Sequence, residues 1–165
     1  MRFGEEIAAQ LTNALGEEHV EHLRITPARE ASFAPYPAWV DPGLRDFLTG
    51  RGITQLFSHQ AEAATAAHDG ENVVISTGTS SGKSLAYLLP ILTQMAKQEG
   101  STALYLTPTK ALATDQIRNV NAIIRDAGIP GVNPNAYDGD TPREVRRAVR
   151  EMSRFIFTNP DMLHQ

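Results

Sequence analysis

The run Val73-Val74-Ile75-Ser76-Thr77-Gly78-Thr79-Ser80-Ser81-Gly82-Lys83-Ser84 limits what this chain can fold into more than any other stretch. Three branched apolar residues suit a buried strand, a string of small residues can wrap tightly, and the residues from Lys83 to about Lys97 read as a helix. Strand, close loop and helix in that order form the opening of a βαβ unit, which implies an α/β fold around a parallel sheet. The same loop has a chemistry. Backbone N–H groups in a tight wrap converge on an anion, the helix N-terminus faces it, and one flexible cation completes the site. Lys83 suits the β- and γ-phosphates of a triphosphate, and the Ser84 hydroxyl suits its magnesium ion. The written pattern G-x-x-x-x-G-K-[ST] is not met, because Thr77 stands where the first glycine belongs and Gly78 comes one place late. The bland alternative is a serine-rich turn that caps a helix and binds nothing.

Beyond Gly52 strands and helices alternate. Ala103–Leu106 is strand-like, and Pro108-Thr109 leads into a helix carrying Ala113, Ile117, Val120 and Ile124 on one stripe. A weak strand falls near Asn135–Tyr137. Thr141-Pro142-Arg143-Glu144 has the form of a capping box opening another helix. On that helix Val145, Val149 and Met152 are the expected buried stripe. Phe155-Ile156-Phe157 is the next strand, ending at Thr158-Asn159-Pro160. A sheet of this kind is expected to be buried on both faces, with ligands at the carboxyl ends of its strands. Pro90 is expected to kink or loosen the helix that follows Lys83.

The amino-terminal third reads differently. Residues 5–16 place Ile7, Leu11 and Leu15 at helical spacing before Gly16. Leu23 to Val40, with Pro27, Pro35 and Pro37, reads as an extended connector. Asp41 offers an N-cap, Pro42 fits a first turn, and Leu44, Phe47 and Leu48 form an apolar face stopping at Gly50. With 41% hydrophobic and 21% charged residues, the composition is that of a globular domain. The absence of cysteine excludes disulfides and Cys-ligated zinc in these 165 residues. No signal peptide or membrane span is expected, and the expected location is cytoplasmic. A net charge of −4 excludes a broadly positive surface, so any contact with nucleic acid has to be local.

Two other loops are candidates for such contact. Thr109 can cap its helix and leave N–H groups facing an anion, with Lys110 at the mouth; by itself this is also an ordinary capped helix. Arg143, Arg147 and Arg150 share a helix face that is either a phosphate-contacting edge or simply solvated. His19 and His22 lack a third ligand and read as surface residues. His59, His68 and His164 show no nucleophile–base spacing.

Taken together, LFSHQAEA, STGTSSGKSLAYLLP, LYLTPTKALATDQ, YDGDTPREVRR and FTNPDMLH resemble, in order and spacing, the superfamily-two DEAD/DEAH-box helicases. PTKALA and YDGDTP are similar to the DNA-helicase branch whose full-length members carry a C-terminal cysteine-rich module. The resemblance implies a partial RecA-like P-loop NTPase domain over residues 52–165, preceded by a helical and extended segment over 1–51 packing on it. It implies that Gln60, 23 positions before Lys83, reads the adenine edge of ATP. Thr77, Gly78, Thr79, Ser80, Ser81, Gly82, Lys83 and Ser84 match motif I, where threonine is common at the outer position. Pro108, Thr109 and Lys110 match motif Ia, and Thr158, Asn159 and Pro160 match motif Ib. Both hold the sugar–phosphate backbone, with Asp138, Gly139, Thr141 and Arg143 as further contacts.

The family's Asp-Glu dyad is expected downstream of Asn159-Pro160, and the 165 residues do not reach it. The expectation is therefore the first part of an ATP-dependent helicase or translocase. It is a monomer acting on single- or double-stranded DNA in preference to RNA, with ATP and magnesium as cofactors, and it is catalytically incomplete as it stands. The rivals are another P-loop NTPase, such as a small nucleotide kinase, and an inactive truncated gene product.

Overall fold

The computed structural model describes residues 3–24, 30–78 and 81–163. Pro27, Thr79, Ser80 and His164, named above, lie outside the described residues. The chain divides into two units, residues 1–31 and 32–165. In the first, helix α1 spans Phe3–Leu15 and a single 3-10 turn covers Glu17–His19. The segment from Ser32 to Arg51 belongs to the second unit.

The second unit begins with a two-residue strand β1, Phe33–Ala34, paired antiparallel with β2, Leu56–Phe57. No period in the sequence marks this pair, because it depends on contact between segments more than twenty residues apart. Between them lies helix α2, Pro42–Gly50. Asp41 caps α2, its carboxylate accepting from the Leu44 N–H at 3.0 Å, while its own N–H donates to the buried Thr93 hydroxyl at 3.1 Å. Asp41→Ala removes only the carboxylate, so a loss of about 1 kcal/mol and a melting temperature lower by about 2–4 °C are expected in a thermal denaturation. Leu44 and Leu48 are buried, as the apolar face requires.

Helix α3, Ser58–His68, packs along helix α4, Lys83–Lys97. Pro90 is buried inside α4, and the helix runs on through it to Lys97. Leu88, Leu89, Leu92 and Met95 of α4 join Leu44, Leu48, Leu56 and Ala64 in the main core. Arg154 closes the far end of α4. Its guanidinium donates to the Met95 carbonyl at 2.9 Å, to the Gln98 carbonyl, and to Ser101 O at 3.0 Å. The last carbonyls of a helix have no intrahelical partner, and a guanidinium fork satisfies several at once.

The sheet holds three parallel strands in the order β3 (Ala103–Leu106), β5 (Phe155–Thr158), β4 (Pro134–Ala136). Helix α5, Lys110–Asp126, connects β3 to β4 and buries Ala113, Val120, Ile123 and Ile124, with Ile117 packed against the same core. Helix α6, Arg143–Met152, connects β4 to β5, and a short helix α7, Pro160–Leu163, follows β5. The α/β class and the parallel sheet stand as the sequence implies. No helix among the described residues is long and apolar enough to cross a membrane.

Several local expectations are corrected. Among the described residues Val73–Ile75 pairs with no strand, and Val74 is 94% exposed. A strand needs a neighbour to take its N–H and C=O groups. Val73 and Ile75 instead line a cavity of about 600 Å³ together with Tyr105 of β3. Among the described strands β3 is an edge, and Leu104 and Leu106 stay about half exposed, so the sheet is not buried on both faces.

The capping box at Thr141 does not form. Pro142 precedes α6 without a side-chain cap, because the Thr141 hydroxyl accepts from the Asp138 N–H at 3.0 Å inside the preceding turn. On α6 only Val149 is buried. Val145 and Met152 border an open groove of about 390 Å³ beside β4, the other sheet edge, where nothing described covers them.

Candidate functional site

Parallel strands bring successive loops to one edge, because every strand ends on the same side of the sheet. Here Pro108, Thr109 and Lys110 follow β3, Thr158, Asn159 and Pro160 close β5, and Asp138, Gly139 and Thr141 follow β4. Backbone and side-chain bonds join the three. Thr107 N–H donates to Thr158 O at 2.8 Å, Tyr137 N–H donates to Phe157 O at 2.8 Å, and the Thr158 hydroxyl donates to Tyr137 O at 2.5 Å. Thr158 is 5% exposed, so its side chain braces the edge from inside. Asn159 accepts from Met162 N–H at 3.0 Å and caps α7. Thr109 caps α5 as expected, accepting from Leu112 N–H at 3.3 Å.

Two residues that the sequence reading left out bind this edge together. Asp140 accepts a hydrogen bond from Lys110, and that contact holds the exposed Lys110 ammonium above the usual lysine range. Arg146 donates to Thr141 O at 3.0 Å and reaches Gly139 O at 3.4 Å, with its guanidinium 6.0 Å from the Tyr137 ring centre. The Asp138 carboxylate accepts from the Asp140 and Thr141 N–H groups at 2.9 and 3.2 Å, which folds the loop into a compact turn. Arg143 and Arg150 are exposed on α6, and Arg147 pairs with Glu151 at 2.8 Å. Asp140 sits in the quoted Asp-Gly-Asp-Thr run, and its approach to Lys110 depends on two strands being neighbours, which local pattern does not report.

In the glycine- and serine-rich loop, Lys83 turns back on the described residues. Lys83 Nζ donates to Gly78 O at 2.6 Å and Thr77 O at 3.0 Å, with the Thr77 and Ser81 hydroxyls at 3.4 and 3.5 Å. The Thr77 and Ser81 hydroxyls bond each other at 2.6 Å, so the residue in place of glycine closes the loop upon itself. Gly82 lies at φ +71°, a left-handed conformation that side chains disfavour. A Cβ there would stand 2.5 Å from Gln60 Nε2.

Gln60 is 3% exposed and both ends of its amide are engaged. Its oxygen accepts from Phe57 N–H at 2.9 Å, and its nitrogen donates to Gly82 O at 2.7 Å. In this arrangement it ties α3 to the loop. Ser84 lines the 600 Å³ cavity together with Lys83, Tyr87, Tyr105 and Gln116. Gln116 Oε1 is buried with no partner among the described residues. The Tyr87 and Tyr105 hydroxyls meet at 2.9 Å, and burial pushes the Tyr105 pKa well up.

This set of residues suits a triphosphate. An ammonium ringed by loop oxygens can exchange those weak partners for phosphate oxygens, and the helix start adds its own N–H donors. Among the described residues no group of three or more His, Asp or Glu side chains could hold a metal ion.

Comparison with known proteins bears on the same residues. The family model for the DEAD/DEAH box helicases matches residues 57–165. The chain is 42% identical over 154 residues to the uncharacterized ATP-dependent helicase YprA of Bacillus subtilis, covering 93% of this chain and 20% of that protein. It is 38% identical over 162 residues to the ATP-dependent helicase hrq1 of Schizosaccharomyces pombe, covering 97% and 15%. Among solved structures it resembles the DUF1998 helicase MrfA bound to DNA and AMPPNP. That match has a TM-score of 0.88 and 41% identity, over 95% of this chain and 22% of the other. The chain thus spans about a fifth of the length of these relatives.

Proposed function

Because this chain belongs to the DEAD/DEAH box helicase family, we propose that it binds ATP at Lys83 and a DNA strand along the loops at the sheet edge. The observation that carries this reading is the Lys83 ammonium held at the centre of its own loop, 2.6 and 3.0 Å from the Gly78 and Thr77 carbonyls. Motif I then runs from Thr77 to Ser84, with Thr79 and Ser80 inside it. Lys83 meets the β- and γ-phosphates, and Ser84 meets the magnesium ion. Gln60 holds the loop to α3 and faces the adenine only after exchanging one of its present bonds.

Pro108, Thr109 and Lys110 with Thr158, Asn159 and Pro160 form the floor for a sugar–phosphate backbone, and Asp138, Gly139, Thr141 and Arg143 form its flank. DNA is the proposed strand in preference to RNA, on the likeness to a helicase solved with DNA. ATP supplies a phosphoanhydride whose cleavage drives such enzymes. The residues here bind and orient it, and in phosphoryl transfer positioning and charge are most of catalysis. The 165 residues contain no Asp-Glu dipeptide of the kind that the resemblance assigns to activating the attacking water. The chain by itself should bind nucleotide without useful turnover.

Fluorescence titration with a labelled single strand tests the proposed edge. Lys110→Ala should weaken DNA binding and lower the salt slope of log K by about 0.7, the share of one phosphate contact on a single strand, while affinity for an ATP analogue is retained. An unchanged slope removes Lys110 from the interface. ATP turnover by these 165 residues that DNA stimulates strongly overturns the claim of incompleteness.

A further inference from the structure

We propose that His59 is a positioning residue of the phosphate-binding loop, holding one peptide so that its N–H faces the nucleotide; this rests on the ATP reading above. The first turn of α3 presents two consecutive side chains to two consecutive loop carbonyls. His59 Nε2 lies 3.1 Å from Ser81 O, and Gln60 Nε2 lies 2.7 Å from Gly82 O. A carbonyl can only accept, so the Nε2 of His59 carries the proton and donates. The imidazole is held for this task from its other side, stacked on Phe57 at 5.7 Å between centres and 11° between planes. Phe57 in turn stacks on Phe33 at 5.2 Å, across the β1–β2 pair.

The consequence follows from peptide geometry. In a planar trans peptide the C=O of one residue and the N–H of the next point in opposite directions. A carbonyl tied back toward α3 therefore turns the following N–H away from α3. The His59 bond to Ser81 O sets the Gly82 N–H in this way, and the Gln60 bond to Gly82 O sets the Lys83 N–H. These two donors belong to the N-cap and the first residue of α4, where an anion is best received. Gly82 at φ +71° makes both peptides available in this orientation. The clip fixes the two donors before any nucleotide arrives, which removes part of the ordering cost of binding.

Three variants of the 165-residue chain test this, each titrated with a non-hydrolysable ATP analogue and with AMP, which lacks the β- and γ-phosphates. His59→Phe keeps a ring on Phe57 and removes the donor. It should bind the ATP analogue about tenfold more weakly, the worth of one good hydrogen bond, with AMP affinity and melting temperature unchanged. His59→Gln places an amide donor at a similar reach and should restore the ATP analogue to within about threefold of wild type. If His59→Phe melts early, His59→Ala, read by the same ratio of ATP-analogue to AMP affinity, decides in its place. Wild-type affinity in His59→Phe, a parallel loss for AMP, or no recovery in His59→Gln overturns the inference alone. A wild-type chain that binds no ATP analogue overturns the nucleotide reading, and this inference with it.

Discussion

Lys83→Ala should lose at least about 100-fold in affinity for an ATP analogue, and it should do so without unfolding the chain. Lys83 is the only cationic residue from Ser76 to Ser84. Among the described residues its ammonium donates to loop oxygens, two carbonyls within 3.0 Å and two hydroxyls within 3.5 Å. A unit charge pair at 4 Å is worth about 4 kcal/mol at an effective dielectric constant of 20. Lys83 is partly exposed to water, and screening reduces that figure, which is why two decades rather than three are expected. Among the described residues no hydrogen bond of Lys83 reaches the core, so the melting temperature should move by less than about 2 °C. Calorimetric titration beside a thermal melt reads both quantities. Retained affinity in a folded variant would mean that the loop is only a turn.

Phe155→Ala carries the largest expected cost to stability. Phe155 is fully buried on β5, the central strand, where it pairs with Ala103 on one side and Pro134 on the other. Its ring stacks on Phe157 at 4.7 Å. Truncating a buried phenylalanine removes its transfer energy and leaves a cavity that closes only in part, at about 3–5 kcal/mol. Whole domains are stable by about 5–15 kcal/mol, so the melting temperature should fall by about 10 °C or more. Phe155→Leu refills part of the space and should recover a good share of the loss. The three loops of the proposed strand-binding edge hang from β3, β4 and β5, so DNA binding should fail at the temperature where the sheet melts. A melting temperature within two or three degrees of wild type would show that β5 is not the keystone of this sheet.

Much of the fold was legible before any coordinates, wherever a local signal sufficed. Asp41 before Pro42, Thr109 before Lys110, and the stripe Ala113–Val120–Ile124 each announce a helix through residues within one or two turns. Capping and period are short-range physics, and they survived folding. Thr141 shows the limit. Its spacing to Glu144 matches a capping box, yet its hydroxyl is taken by Asp138 in a turn that forms just upstream. Val145 and Met152 have a helical period but no partner, because period reports a face and not what covers it.

The chemistry divides along the same line. The sequence by itself determined the α/β order and the three loops at strand ends, since each depends on residue type and near spacing. Only the tertiary structure decided that Val73 and Ile75, paired with no described strand, line a cavity with Tyr105, and that Lys110 is held by Asp140. It also decided that His59 and Gln60 clasp Ser81 and Gly82. Those depend on which segments become neighbours across twenty or more residues. Strand pairing and core packing choose that arrangement jointly, and no short window of sequence contains it.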